Sequence, residues 1–232
     1  MKPVTFGAGA LLALALSTAV LAEPGPRRWD GFYIGVNAGG GVGDFDTRIL
    51  MDLGIVPPGF QVPQDQSGLV AGGHAGFNLM NGPWLIGLES SFAWSGINGK
   101  GQRASDIDPD WMIHTGGELA WIGSTVARLG YARGNTLLYG KGGIALTDVN
   151  MRGYSTFQGV YQGGANVSHR RGGWTVGLGA EFALAGAWSA RLDYDYYDFG
   201  NARADAGGTP ISIDIQHHVG RIGFSYALGT GR

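Results

Sequence analysis

The sequence predicts an all-β fold: an eight-stranded antiparallel transmembrane β-barrel of the outer-membrane type. Three observations support this prediction. Apolar side chains alternate with small or polar ones in eight segments, short turns alternate with long polar connections, and aromatic residues gather at the segment ends.

The alternation has the period of a β-strand. In residues 174–184, apolar side chains such as Val176 and Leu178 alternate with Thr175 and Glu181. Successive side chains of a strand point to opposite faces, so each segment has one apolar face. The opposite faces carry charges of both signs, which indicates a lipid-facing exterior around a polar interior. The eight segments are residues 30–42, 69–80, 84–94, 118–132, 136–149, 171–184, 188–198 and 215–228.

The connections between these segments fall into two classes. Residues 81–83, 133–135 and 185–187 are short, and two of them place Gly beside Asn, as tight hairpins do. The connections near 43–68, 95–117, 150–170 and 199–214 are long and polar. Short periplasmic turns that alternate with long extracellular loops are typical of outer-membrane barrels.

Aromatic residues mark both ends of the predicted strands. Such rings concentrate at the two membrane–water interfaces, where one end of the ring is wet. The predicted interface belts contain Trp29, Trp84, Trp94, Trp121, Trp174, Trp188 and Tyr226.

The first residues predict export. Lys2 precedes an uncharged apolar run at residues 6–16, which is too short to span a bilayer as a helix. Small Val20 and Ala22 then suit a cleavage site, so we expect a signal peptide at 1–22 and a single barrel domain at 23–232. The chain has no Cys, so the stability of this exported domain must come from the fold and not from disulfides. The predicted location is the bacterial cell outer membrane.

The sequence contains little that resembles an enzyme site. It has no phosphate-binding glycine motif, and without Cys it has no thiol nucleophile or cysteine zinc ligand. Ser168 is the only serine beside a histidine, but neighbours on a strand point apart, so Ser168 and His169 do not form a nucleophile–base pair. We therefore predict no catalytic residue, no cofactor and no enzyme activity.

Metal and nucleic-acid sites also lack support. The acidic run that starts at Asp106 resembles a calcium loop, but Trp111 and Gly117 stand where such a loop needs Gly and Glu. The net charge of −2, without a basic stripe, argues against a nucleic-acid partner. We predict no metal site and no binding to nucleic acid; the alternative for the acidic loop is weak divalent-ion binding between it and lipopolysaccharide phosphates.

Four acids and four bases fall on the predicted inner faces. Eight strands enclose an interior that side chains fill, and an unpaired buried charge is costly, so these groups should pair. We interpret them as a structural polar network; the alternative is a narrow ion path lined by charge. The eight residues are Glu89, Arg128, Lys141, Glu181, Arg191, Asp193, Asp195 and Arg221.

Several segments resemble the small outer-membrane immunogenic proteins of alphaproteobacteria, a porin-like barrel family. They are WDGFYIGVNAGG at 29–40, WIGSTVARLGY at 121–131, LYGKGGIA at 138–145, GWTVGLGAEFAL at 173–184 and LDYDYYDFG at 192–200. Residues 218–226 resemble the closing strand of that family. The chain departs from the family at Val126, where Arg is usual, and after Leu228, where the family usually ends on an aromatic residue.

The resemblance implies three functions that the sequence leaves open. The first is a structural, surface-exposed barrel that supports the envelope and acts as a surface antigen. The second is a narrow porin or channel for ions or small solutes. The third is binding of hemin or another ligand through the extracellular loops. The implied partners are outer-membrane lipid and lipopolysaccharide, the barrel-assembly machinery and periplasmic chaperones, and hemin or host surface molecules.

Overall fold

A computed structural model describes residues 29–205 and 210–228; the predicted signal peptide lies outside the described residues. The strands are β1 (Gly31–Ile49), β2 (Gln61–Val62), β3 (Asp65–Asn81), β4 (Trp84–Ala104), β5 (Trp111–Arg133), β6 (Thr136–Phe157), β7 (Val160–Ala183), β8 (Trp188–Asp205) and β9 (Pro210–Ala227). Within these described residues, no helix is long and apolar enough to cross a membrane.

Eight of the strands close into an antiparallel ring, which confirms the predicted fold class. Each strand pairs with its neighbour in the order β1-β3-β4-β5-β6-β7-β8-β9, and β9 pairs back to β1. The closing ladder begins at Tyr33–Ala227, so the first and last strands of the ring meet at the end that carries the short turns. The short β2 pairs with the outer end of β1 only.

The three short turns lie where the sequence places them. Each contains one glycine in the left-handed region: Gly82 at φ 59°, Gly134 at φ 59° and Gly186 at φ 63°. Glycine adopts this conformation without a Cβ clash, and two-residue hairpins require it. The turns therefore fix the register of three hairpins.

The predicted long loops near 43–68, 95–117, 150–170 and 199–214 are largely wrong, because the strands continue through most of them. For example, β4 runs on to Ala104 and pairs there with Met112, while β6 and β7 are joined by a tight turn at Gln158 and Gly159. Beyond the lipid the outer face of the wall meets water, so it carries polar residues and glycine. The alternation that marks a lipid-facing strand is thus absent, although the hydrogen-bonded ladder persists.

The outer wall is apolar where the sequence predicts lipid contact. Leu69, Ile144 and Leu178 point outward and are 79%, 66% and 68% exposed. Trp84 and Trp188 lie at the short-turn end of this wall, and aromatic pairs with Tyr131 and Tyr226 flank them. At the other end, Trp94 and Trp174 are exposed and Trp121 is partly buried. These six aromatic residues of the predicted belts (Tyr226 included) stand on the outer wall.

Trp29 corrects the belt prediction, because its side chain is buried inside the barrel. The backbone turns at Gly31, which has a φ of 103°, and the Trp29 carbonyl accepts a hydrogen bond from the Asn78 amide at 3.2 Å. The Trp29 side chain is 7% exposed and packs with Leu85, Leu137 and Tyr139. The Trp29 side chain thus lies in the mouth of the barrel and not against the membrane interface.

Three layers of side chains fill the barrel interior. At the short-turn end lies the inner plug, formed by Trp29, Leu85, Leu137 and Tyr139. Above it lies the charged layer, formed by the eight inward-facing acids and bases. The outer apolar layer follows and continues beyond the lipid; it includes Phe45, Phe60, Ile97, Leu119, Ile122, Val149, Phe199, Ile213 and Ile215.

Candidate functional site

The charged layer brings all eight of the predicted inward charges together. The residues come from β4, β5, β6, β7, β8 and β9 at inward positions of the alternation. All are strongly buried; for example, Arg128 is 1% exposed and Asp195 is 2% exposed. Because four acids face four bases within one narrow layer, each charge has opposite charges nearby.

Arg191 links two opposite walls of the barrel. Its Nη1 donates to Glu89 Oε2 at 2.7 Å, and its Nη2 donates to Glu89 Oε1 at 3.1 Å. Its Nε also donates to Asp193 Oδ2 at 2.7 Å. The planar guanidinium therefore holds one carboxylate with two parallel N–H groups and a second carboxylate on its own strand, which is the strongest geometry open to such a pair.

Arg128 connects Glu89 to Glu181. Its Nη1 lies 3.3 Å from Glu89 Oε2, and its Nη2 lies 3.2 Å from Glu181 Oε2. Nη1 also donates to the Tyr33 hydroxyl, and the guanidinium lies 3.9 Å from the centre of the Tyr139 ring. Contact with a ring face adds a cation–π attraction to the two ion pairs.

The third and fourth bases complete the layer. Lys141 Nζ lies 2.9 Å from Asp193 Oδ1 and 2.9 Å from Asp195 Oδ1. Arg221 Nη1 lies 2.8 Å from Asp195 Oδ2 and donates to the Tyr197 hydroxyl at 3.0 Å. The eight charges thus form one connected network that reaches around the interior.

Tyrosines belong to this network, although the sequence analysis did not assign them to it. The Tyr33 hydroxyl donates to Glu89 Oε2 at 2.8 Å, and the Tyr139 hydroxyl donates to Asp193 Oδ1 at 2.7 Å. The phase of the alternation places Tyr33, Tyr139 and Tyr197 inward, so this signal was present in the sequence. Tyr33 and Tyr139 thus add donors to carboxylate oxygens that the bases also contact, whereas the Tyr197 hydroxyl accepts from Arg221.

Close packing leaves little space in this layer. A Cβ added at Gly179 would lie 2.3 Å from the Tyr139 ring, and one added at Gly177 would lie 2.4 Å from Asp195 Oδ1. At the short-turn end of the barrel, a cavity of about 20 Å³ lies beside Asn78, Glu181 and Ser189. A space of that size holds about one water molecule.

The outer apolar layer was not predicted. The alternation predicts a polar interior, yet Phe45, Ile97 and Leu119 fill it above the charges, each of them 0% exposed. All three lie on strand extensions or beside a register shift, outside the regular alternation on which the inner faces were assigned. A mainly apolar layer, which also contains the buried His217–Gln66 pair at 3.0 Å, therefore lies between the charged layer and the outer surface.

The other candidate groups within the described residues are the metal-ligating side chains and Ser168. In residues 29–205 and 210–228, no three His, Asp or Glu side chains come together as metal ligands. The Ser168 hydroxyl donates to the Asn150 amide oxygen at 2.7 Å, so its described partner is not His169. The charged network can hold the walls of the barrel together.

A closed antiparallel ring with an apolar belt outside and paired charges inside defines an outer-membrane β-barrel. The chain belongs to the outer membrane protein beta-barrel domain family, whose pattern matches residues 8–227. It is therefore a protein of the bacterial outer membrane.

Relatives and one solved structure agree with this assignment. The chain is 28% identical to the 31 kDa outer-membrane immunogenic protein of Brucella melitensis, over 85% of this chain and 83% of that protein. It is 29% identical to the 22 kDa outer membrane protein of Rhizobium leguminosarum bv. viciae, over 74% of this chain and 64% of that protein. The fold is similar to that of the outer membrane protein OprG of Pseudomonas aeruginosa, with a TM-score of 0.50, 12% identity and coverage of 85% and 97%.

Proposed function

We propose that this protein is a closed, structural barrel that supports the envelope and presents its outer end at the cell surface. The observation that carries the proposal is the filled interior. Opposite walls are tied by the Arg191–Glu89 pair, and apolar layers lie on both sides of the charges.

The same geometry argues against the narrow-channel alternative. An ion that follows the barrel axis would have to displace paired charges and then cross the outer apolar layer, where Ile97, Ile122 and Ile215 have almost no exposed surface. An apolar constriction excludes ions because it cannot replace their hydration. A barrel that acts as a structural anchor does not need an open path through this packing.

The surface-antigen part of the proposal has separate support. Several curated relatives carry the name outer-membrane immunogenic protein. Here the wall extends well past the outer aromatic belt, and Lys100 is exposed on that extension, while Arg103 is partly exposed.

A deletion strain would test the proposal against the channel. We expect loss of the protein to raise sensitivity to detergent and to bulky antibiotics, with unchanged uptake of small hydrophilic solutes, and the wild-type gene should restore resistance. Slower uptake of small solutes at unchanged detergent resistance would contradict the proposal and support a channel.

A further inference from the structure

A cavity of about 300 Å³ lies inside the outer end of the barrel, directly on the outer apolar layer. Inward-facing residues of β1, β5, β6, β7 and β9 surround it, together with Leu53 and Ile55 from the segment that leads to β2. Its volume is at the small end of the range that is typical of ligand sites, roughly 300–1,000 Å³.

Small side chains create this space. Gly153, Gly163 and Ala165 occupy inward positions of β6 and β7. A Cβ added at Gly163 would meet no atom within 4 Å, whereas one added at Gly177, on the same strand in the charged layer, would clash. The interior is therefore filled at one level of β7 and open at another.

The lining is apolar, with a few hydroxyl groups. Its inward side chains come from Ile49, Ile113, Met151, Val167 and Ile211, and the hydroxyls come from Thr47, Thr115 and Ser155. Arg152 and His114 also border the cavity, but strand alternation puts their side chains on the outer face. An ion here would lose its hydration without gaining an opposite charge from the lining, so an uncharged molecule is preferred.

Beside the cavity, β7 continues beyond the end of its ladder with β8. The ladder between β7 and β8 ends at the pair Trp174–Asp198, in the part of the chain that the structure describes. Further out, residues 160–167 of β7 pair with β6. Gly163, Ala165 and Val167, which line the cavity, lie on this part of β7, beyond its last described pair with β8, and we infer that a ligand enters along this edge.

We propose that this cavity binds a small, uncharged and mainly apolar molecule, such as a bicyclic aromatic compound or a medium-chain alcohol. The floor is the outer apolar layer, which keeps the ligand at the outer end of the barrel. The hydroxyl of Ser155 or Thr115 orients one polar group of the ligand. The site is independent of the charged layer and does not require that the barrel conduct.

Fluorine NMR with 2-fluoronaphthalene tests the proposal. The probe is added to the full barrel in lipid nanodiscs and to nanodiscs of the same lipid without protein, because an apolar probe also partitions into lipid. We expect a saturable, broadened signal in the presence of the protein only. Equal signals in both samples would overturn the proposal.

A cavity-filling variant locates the binding. Gly163→Leu places a side chain in the open space and should abolish the saturable signal, while Asn166→Leu, on the exposed outer face of the same strand, should retain it. Ala165→Phe is a second filling variant, and heat-modified mobility in SDS gels shows that each variant is folded. Retention of binding in both folded filling variants would overturn the proposal.

A charged analogue tests the ligand class. With 6-fluoro-2-naphthoate, the carboxylate would enter an uncharged cavity, and we expect the affinity to fall about tenfold or more. Equal affinity for the naphthoate and for fluoronaphthalene would contradict the proposed selection for uncharged molecules.

Discussion

Arg191 on β8 binds Glu89 on β4 with two hydrogen bonds, although three strands separate them in either direction around the ring. The pair thus spans the full width of the interior. Its two side chains are 2% and 4% exposed, so water does not screen the charges. A wall-to-wall contact of this kind packs the barrel interior at this level, which supports the proposal of a closed barrel.

The first prediction concerns this pair. Arg191→Met leaves the carboxylates of Glu89 and Asp193 buried with one base fewer, which should cost about 3–5 kcal/mol of unfolding free energy. Adding Glu89→Gln should recover part of that loss, because one of the orphaned charges is removed. Urea titration in lipid vesicles measures both changes, with Lys100→Met as an exposed control. Simple addition of the two single losses would show that the residues do not interact.

The second prediction concerns the lipid face. Leu178→Arg puts a charge on an outward position of β7 and should destabilise the barrel by about 2–4 kcal/mol if that position lies near the midplane. Thr175→Ser, on the inner face, should have little effect, since a serine hydroxyl can still donate to the Tyr196 carbonyl as Thr175 does at 2.8 Å. Equal losses would mean that the assigned phase of the alternation is wrong.

The third prediction concerns glycine packing. Gly179→Ala should destabilise the barrel by about 1–3 kcal/mol, because the added methyl group overlaps the Tyr139 ring. Gly220→Ala is the matched control: it is also a strand glycine, but its Cβ would meet no atom within 4 Å. Comparable losses from the two variants would show that strand propensity matters here and lumen packing does not.

The fourth prediction concerns orientation. The chain has lysine only at positions 2, 100 and 141; Lys141 is buried, and Lys100 is exposed on the outer extension of β4. A membrane-impermeant amine reagent should label intact cells at Lys100, and Lys100→Arg should remove that label. Labelling that appears only after the outer membrane is broken would place the extension on the periplasmic side.

The sequence predicts the lipid-facing part of the wall well, because lipid outside and charge inside impose a strict alternation. Arg128 and Glu181 could be placed inside by phase alone. Their partners could not be assigned individually, since Arg128 reaches Glu89 on the next strand and Glu181 two strands away in the other direction.

The outer half was harder to predict for a physical reason. Where the outer face of the wall meets water, its outward residues are polar, so apolar and polar residues no longer alternate. The segments that contain Phe45 and Ile113 were therefore predicted as loops, although both side chains are buried. Trp29 was misplaced because an aromatic residue beside a strand end suits both an interface belt and a plug. The position of the Trp29 side chain depends on the backbone turn at Gly31, and the alternation of apolar and polar residues does not reveal that turn.

Single-channel recording in planar bilayers tests the closed interior most directly. The refolded wild-type barrel should insert without producing discrete conductance steps, because the Arg191–Glu89 pair and the outer apolar layer fill its cross-section. Regular steps from the wild-type protein, with an ion selectivity that Arg191→Ser alters, would show that ions pass through the charged layer and would contradict the account.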